Sequence, residues 1–74
     1  MKIYDYIILP DDEQFNAIWN NGTHIDTLID GNIKITLYAI NDFFVEIYYD
    51  AELNKIIDKK HFKQGHLLDK YLPK

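Results

Sequence analysis

The sequence lacks three residue types entirely, because its 74 residues include no cysteine, no serine and no arginine. The absence of cysteine excludes disulfides, thiolate zinc sites and iron–sulfur clusters, and the absence of serine as well excludes both common nucleophiles. A secreted domain of this length usually requires disulfides because its hydrophobic core is small. We therefore expect a cytoplasmic protein, and twelve isoleucines without any arginine indicate an AT-rich coding sequence of bacterial or phage origin.

Long apolar runs are also missing from the chain. No stretch approaches the roughly 18 apolar residues of a membrane-spanning helix, and only Lys2 precedes the first apolar segment. We therefore expect neither a membrane span nor a signal peptide. The hydrophobic fraction of 47% is that of a globular protein, and the length predicts a single domain over residues 1–74.

Charge is modest in total but uneven along the chain. The formal net charge is −4, and residues 1–54 contain ten acidic residues and two lysines, whereas residues 55–74 contain six lysines and two acidic residues. A net negative chain without arginine has the wrong sign for general nucleic-acid binding, so we expect no nucleic-acid partner. The partner expected is a protein or a second copy of the chain, on the aromatic face described below. A polyanion-binding module remains a third alternative, on a lysine cluster formed by Lys55, Lys59, Lys60 and Lys63.

Two N-terminal segments are predicted to be helical. A helix begins after Pro10, because three acidic residues at positions 11–13 stand where the positive end of the helix dipole favours negative charge. It runs to about Asn20, with Phe15, Ile18 and Trp19 forming an apolar stripe toward the core, and Gly22 supplies a left-handed stop. Residues 3–9 form a short helical turn, although their β-branched content also fits a strand.

Alternating apolar residues predict three strands with odd-numbered positions facing the core. The three series are Ile25, Thr27, Ile29; Ile33, Ile35, Leu37, Ala39; and Phe43, Val45, Ile47, Tyr49. Three-residue loops at positions 30–32 and 40–42 would set these series opposite one another. A two-residue turn at Asn41 and Asp42 would instead bring Glu46 onto the apolar face, so the three-residue loop is preferred.

The fold class predicted from these elements is α+β. A fourth strand spans about Lys55 to His61 and suits a solvated edge because of its lysines. A short C-terminal helix over residues 65–72 carries an apolar side and ends before Pro73. The expected architecture is a four-stranded antiparallel β-meander with an N-terminal helix and a short C-terminal helix packed on one face.

The opposite face of the predicted sheet is the candidate binding site. In the predicted register Tyr38 stands across from Phe44, and Lys34 stands across from Tyr48, which places an aromatic patch within a polar rim. Protein interfaces have this anatomy, so we expect a small non-enzymatic protein-interaction or regulatory module, with a homodimer contact as one possibility. The alternative is that the aromatic pairs only stabilise the sheet, or that residues 3–9 cover them.

Acid–base and metal chemistry has few candidate groups in this sequence. A small ligand-binding protein or enzyme would have to use His24, Asp26, Glu46 and His61, whose spacing matches no known metal or catalytic motif. The acidic residues at positions 11–13 are explained by the start of the helix. We therefore expect no catalytic residue, no metal and no cofactor.

Overall fold

The computed structural model describes residues 1–63, which form two helices followed by one sheet of four strands. The elements are α1 (Ile3–Ile7), α2 (Asp11–Asn21), β1 (Thr23–Asp30), β2 (Ile33–Ile40), β3 (Phe43–Asp50) and β4 (Lys55–Phe62). The strands are antiparallel in the order β1-β2-β3-β4, which confirms the predicted α+β meander with helix at the N-terminal end. The predicted C-terminal helix over residues 65–72 lies outside the described residues.

Both helices of the described chain form where the sequence predicts them. In α1 the carboxylate of Asp5 accepts a hydrogen bond from the Lys2 backbone amide at 3.1 Å, which satisfies one of the free amides at the helix start. Helix α2 begins directly after Pro10 and carries its three acidic residues in the first turn. No helix within residues 1–63 is long and apolar enough to cross a membrane.

Gly22 ends α2 for a reason different from the one predicted. Its φ of −81° is not left-handed, so the expected left-handed stop is wrong. The Gly22 amide donates to the Ile18 carbonyl at 2.8 Å, and a Cβ atom at this position would lie 2.5 Å from the same carbonyl oxygen. Close approach of two backbone segments therefore requires glycine here.

The first two hairpins turn through two residues, and the predicted three-residue loops are wrong. Asp30 pairs with Ile33, and Ile40 pairs with Phe43. The first residue of each turn has a positive φ, 60° at Gly31 and 53° at Asn41, as the primed turns of two-residue hairpins require at their first central position. Glycine and asparagine adopt this conformation at lower cost than other residues, which accounts for these tight turns.

Because the turns are one residue shorter than predicted, each side chain of β2 points to the face opposite the predicted one. Leu37 lies opposite Glu46, and Tyr38 lies opposite Val45. Directly opposite residues share a face, so the even-numbered residues of β2 join the odd-numbered residues of β3 under the helices. The predicted core series therefore has the correct face for β3, where Tyr49 is only half-buried, and the wrong face for β2. Leu37 of the β2 series is nevertheless buried, on the opposite side of the sheet.

The sheet thus has two distinct sides. The helix face is the side on which α1 and α2 pack, and its central side chains are Tyr38, Ile40, Phe43, Val45 and Ile47. The far face is the opposite side, and its central side chains are Leu37, Phe44, Glu46, Tyr48 and Phe62.

Both edge strands contain an irregularity in their pairing. The register of β1 shifts by one residue at Ile25, and the register of β4 shifts at Ile57. The predicted pairs of β1 are wrong because of the two-residue turn at positions 31–32, which places Leu28, not Thr27, opposite Ile35. The predicted fourth strand is confirmed, with one further residue at its end. Such bulges hinder the addition of another strand to a sheet edge.

Helix α2 is rotated relative to its predicted orientation. Ala17 and Ile18 are buried against the sheet, whereas Trp19 is 53% exposed, so the expectation that Trp19 is a core residue is wrong. Gln14 is the third buried residue of α2, and a search for apolar residues does not find it. Its Nε2 donates to the backbone carbonyl of Tyr6 at 3.1 Å and joins α2 to the end of α1.

Tyr6 is the contribution of α1 to the core. Its ring is fully buried and lies 5.4 Å from the ring of Phe43. The phenolic oxygen has no hydrogen-bond partner among the described residues. Burial raises the pKa of Tyr6 to about 12, and the negative charge of Asp11 adds to the effect.

Candidate functional site

The four residues predicted to share a binding surface lie on two different faces. Tyr38 and Lys34 are on the helix face, where they pair with Val45 and Tyr49. The other two, Phe44 and Tyr48, are on the far face, because they pair with Ala39 and Ile35. The predicted pairs of Tyr38 with Phe44 and of Lys34 with Tyr48 are therefore wrong, and the two-residue turn at positions 41–42 is the reason.

The two far-face residues are engaged in packing. Phe44 is half-buried and stacks on Phe62 with ring centroids 5.7 Å apart. The hydroxyl of Tyr48 donates to Oε1 of the fully buried Glu46 at 3.2 Å, and Nζ of Lys60 lies 5.1 Å from the centre of the Tyr48 ring. These contacts give both aromatic residues a role in stabilising the sheet.

The four candidate acid–base residues do not converge. His24 is on β1, where its Nε2 is 2.8 Å from Oγ1 of Thr27, and His61 is on β4, where it packs against the ring of Tyr6 at 5.8 Å. These strands form the two edges of the sheet, roughly 14 Å apart at ordinary strand spacing. Asp26 and Glu46 lie on the far face, separated by β2. Residues 1–63 contain no group of three or more potential metal ligands.

The lysines of the predicted polyanion site are separated and largely engaged. Lys59 lies on the helix face, 3.3 Å from the carboxylate of Asp11, and its ammonium is 4.9 Å from the centre of the Phe15 ring. Lys60 lies on the far face against Tyr48. Lys63 forms an ion pair with Asp42 at 3.3 Å. These three charges face the chain's own groups in different directions, which disfavours a single polyanion surface.

Helix α2 crosses the strands and covers only part of the helix face. Phe15 contacts Lys59 on β4, and one helical turn later Trp19 meets the ring of Tyr38 on β2 edge-on at 5.7 Å. The residues buried beneath the helices belong to the half of the sheet near the turn between β2 and β3. The other half of the helix face is left without a covering element among the described residues.

A groove of about 380 Å³ lies on this uncovered half. It is named here the Trp19 groove, and it is lined by Trp19, Lys34, Thr36, Tyr38, Ile47, Tyr49 and Ile56. Ile56 is 41% exposed, so apolar surface is accessible on the floor as well as on the wall. The hydroxyl of Tyr49 donates to the side-chain oxygen of Asn54, which orients the Tyr49 ring within the groove.

Lys34 is the single charged residue of the Trp19 groove lining. It is exposed, and no carboxylate of residues 1–63 forms an ion pair with it. When a bound partner excludes water from the groove, an ammonium group beside aromatic and aliphatic side chains binds a carboxylate more strongly than in open water, because the surrounding medium is then less polar. The groove therefore combines apolar contact area with one positive charge.

A second depression continues this surface toward β4. It has a volume of about 400 Å³ and is lined by Asp11, Phe15, Ile56, Ile57, Asp58 and Lys59. Ile56 belongs to both depressions, and the rings of Phe15 and Trp19 stack 6.2 Å apart. The two depressions thus form one shelf that follows the side of α2.

Sequence reasoning identified only Tyr38 and Lys34 among the residues of the Trp19 groove. Trp19 was expected in the core, and Ile47 and Tyr49 were expected beneath helices. The even-numbered residues of β2 include Tyr38 and Ile40, which are apolar in part or in full. This second apolar series was the available signal that the even-numbered residues of β2 face the helices. Comparison with protein-family models, curated proteins and solved structures found no match to this chain.

Proposed function

We propose that the protein is a non-enzymatic protein-binding module of the cytoplasm and that the Trp19 groove receives its partner. The observation that carries this proposal is the uncovered half of the helix face, where Trp19 is 53% exposed beside Tyr38 and Tyr49. Apolar surface that stays accessible next to a polar rim commonly marks an interaction site. Tryptophan and tyrosine are also the residues most enriched among the dominant contacts of interfaces.

The partner expected is a segment of another protein with apolar side chains and a carboxylate. The apolar groups match the groove lining, and the carboxylate matches Lys34, which lacks a carboxylate partner within residues 1–63. Such a complementary charge favours the correct orientation of the partner and excludes basic segments.

The test begins with affinity capture from a cell lysate and ends with purified proteins. Wild-type protein serves as the bait, and each protein that it retains over a bare-resin control is purified and titrated by calorimetry against the wild type and the Trp19→Ala variant. We expect Trp19→Ala to weaken binding by about 30-fold, as for a dominant interface contact. Lys34→Glu should weaken it as well.

Matched variants outside the groove provide the controls. Tyr4→Ala removes an aromatic residue that is also exposed but lies on α1, and Lys55→Glu reverses an exposed lysine that lines neither depression. Both should bind like the wild type. Equal binding by wild type, Trp19→Ala and Lys34→Glu, with all three folded by circular dichroism, would overturn the proposed function.

A further inference from the structure

Resting on this proposed function, we infer that the partner enters the Trp19 groove as an amphipathic α-helix of a different protein, lying beside α2, with an acidic residue next to Lys34. The inference combines the dimensions of the uncovered surface, the chemistry of its lining and the polarity of the exposed side of α2.

The uncovered surface has the width of one helix. Strands of eight residues extend about 26 Å, and one helix with its side chains is about 10 to 12 Å wide. Helix α1 packs over Phe43 at one end of the helix face, and α2 crosses its middle from Lys59 to Tyr38, so about three residues of each strand, roughly 10 Å, remain beyond α2. This remaining width accommodates one more helix parallel or antiparallel to α2, which would complete a two-layer arrangement of helices on a sheet.

The lining fits the stripe of an amphipathic helix. The stacked rings of Phe15 and Trp19 form a wall along α2, one helical turn apart, and Ile47 and Ile56 form part of the floor. Apolar side chains three and four positions apart on a partner helix would meet this wall and floor together. An aspartate or glutamate beside that stripe would then meet Lys34.

A second copy of α2 is a poor occupant of the same surface. The side of α2 that points away from its own sheet carries Asp12, Glu13, Asn16 and Asn20, all exposed. A copy of α2 seated on the groove would be held between two sheets and would bury these four polar side chains, at a substantial cost in desolvation. The polar outer side of α2 therefore favours a different protein over a homodimer.

The experiment uses two phage-displayed libraries of 16-residue peptides against the full-length protein. In the patterned library, apolar residues occupy positions i, i+3, i+4 and i+7 of a helical repeat, and in the unpatterned library all positions vary. Trp19 is the only tryptophan of the chain and lines the groove, so tryptophan-free peptides that bind there should shift its emission to shorter wavelength.

We expect the patterned library to yield binders that carry an acidic residue beside the apolar stripe. A central proline in such a peptide should reduce its affinity at least tenfold, because proline breaks the helix. Lys34→Glu should reduce the affinity about tenfold, and reversing the acidic residue of the peptide to lysine should restore binding to this variant. Lys55→Glu serves as the matched control and should change nothing.

The other outcomes show whether the helical partner alone fails or the proposed function fails with it. Groove-dependent binders that come only from the unpatterned library, or that tolerate proline, would overturn the helical partner and leave the proposed function standing. Failure of both libraries to yield any binder sensitive to Trp19→Ala would overturn both proposals.

Occupancy by the chain itself is measured before any peptide is added. Acrylamide quenching of Trp19 and light scattering are recorded across a dilution series from about 10 to about 500 μM. A monomer whose Trp19 is efficiently quenched agrees with an open groove. Strong shielding of Trp19 in a monomer would show that another part of the chain occupies the groove. Shielding that appears only with dimerisation would show that a second copy occupies it. Either result would overturn the inference.

Discussion

The two faces of the sheet are built from the same four strands but bury different chemistry. The helix face packs apolar side chains under α1 and α2 and leaves its other half accessible beside Trp19. The far face holds a fully buried carboxyl group, Glu46, which lies opposite Leu37 and accepts a hydrogen bond from Tyr48. The difference teaches that burial in this sheet follows from register, and not from the hydrophobicity of each residue taken alone.

The largest effect is expected from a pair of neighbours that point to opposite faces. Phe43→Ala removes a fully buried ring beneath α1 and should lower the free energy of unfolding by about 3 to 5 kcal/mol. Phe44→Ala removes a half-buried ring stacked on Phe62 and should cost about 1 to 2 kcal/mol. Urea denaturation measures both values. Equal losses would contradict the assignment of the main core to the helix face.

Tyr6 gives the helix face a dependence on alkaline pH. Its folded pKa of about 12 exceeds the unfolded value of 10.0, so the fold favours the neutral phenol. The stabilising contribution is complete below pH 10 and is lost as the pH rises through about 12, with a limit of about 3 kcal/mol.

The matched variant for this prediction is Tyr6→Phe, which keeps the buried ring. It should be at least as stable as the wild type at pH 7, because the removed hydroxyl has no partner among the described residues, and it should lose less stability between pH 10 and pH 12. Denaturation of both proteins at a series of pH values makes the comparison. Parallel pH profiles would show that Tyr6 does not titrate with the expected shift.

Glu46 sharpens the comparison from the far face. Glu46→Ala removes the acceptor of the Tyr48 hydroxyl and leaves a space opposite Leu37, so we expect a loss of about 1 to 3 kcal/mol. Glu46→Gln keeps the shape and an acceptor oxygen and should cost less than the alanine variant. The difference between the two variants in urea denaturation measures the contribution of side-chain packing and of the acceptor oxygen together. An unchanged free energy of unfolding in Glu46→Ala would mean that the buried carboxyl group does not stabilise the far face.

The smallest effect on stability is expected at the groove. Trp19→Ala removes a side chain that is 53% exposed but contacts the rings of Phe15 and Tyr38, so it should lower the unfolding free energy by about 1 to 2 kcal/mol. Ile18→Ala, one position earlier and fully buried, should cost about 2 to 5 kcal/mol. Thermal melting of both variants tests the rotation of α2. A larger loss for Trp19→Ala than for Ile18→Ala would return Trp19 to the core and remove the groove.

Much of the secondary structure could be predicted because its signals are local. The acidic first turn after Pro10 marked α2, and alternating apolar residues marked β1 to β3. The register was mispredicted because it depends on a single residue in each turn. Gly31 and Asn41 adopt positive φ, which permits two-residue turns and reverses the faces of β2.

The candidate site was only half predicted for the same reason. Tyr38 and Lys34 were assigned to a shared surface with Phe44 and Tyr48, but the observed register sends the latter pair to the far face. Trp19 was assigned to the core because an apolar helical stripe does not reveal which of its edges faces the sheet. Gln14, a polar residue, takes an inward position by donating to the carbonyl of Tyr6, and this contact orients the helix.

The sequence by itself determined the α+β class, the order of the elements in residues 1–63 and the exclusion of cysteine and serine chemistry, because these follow from composition and from patterns within a few residues. Only the tertiary structure decided which face each strand presents, which side of α2 is buried and where a groove remains open. Those features depend on contacts between residues distant in sequence, such as Leu37 with Glu46 and Trp19 with Tyr38, whose geometry no local pattern specifies.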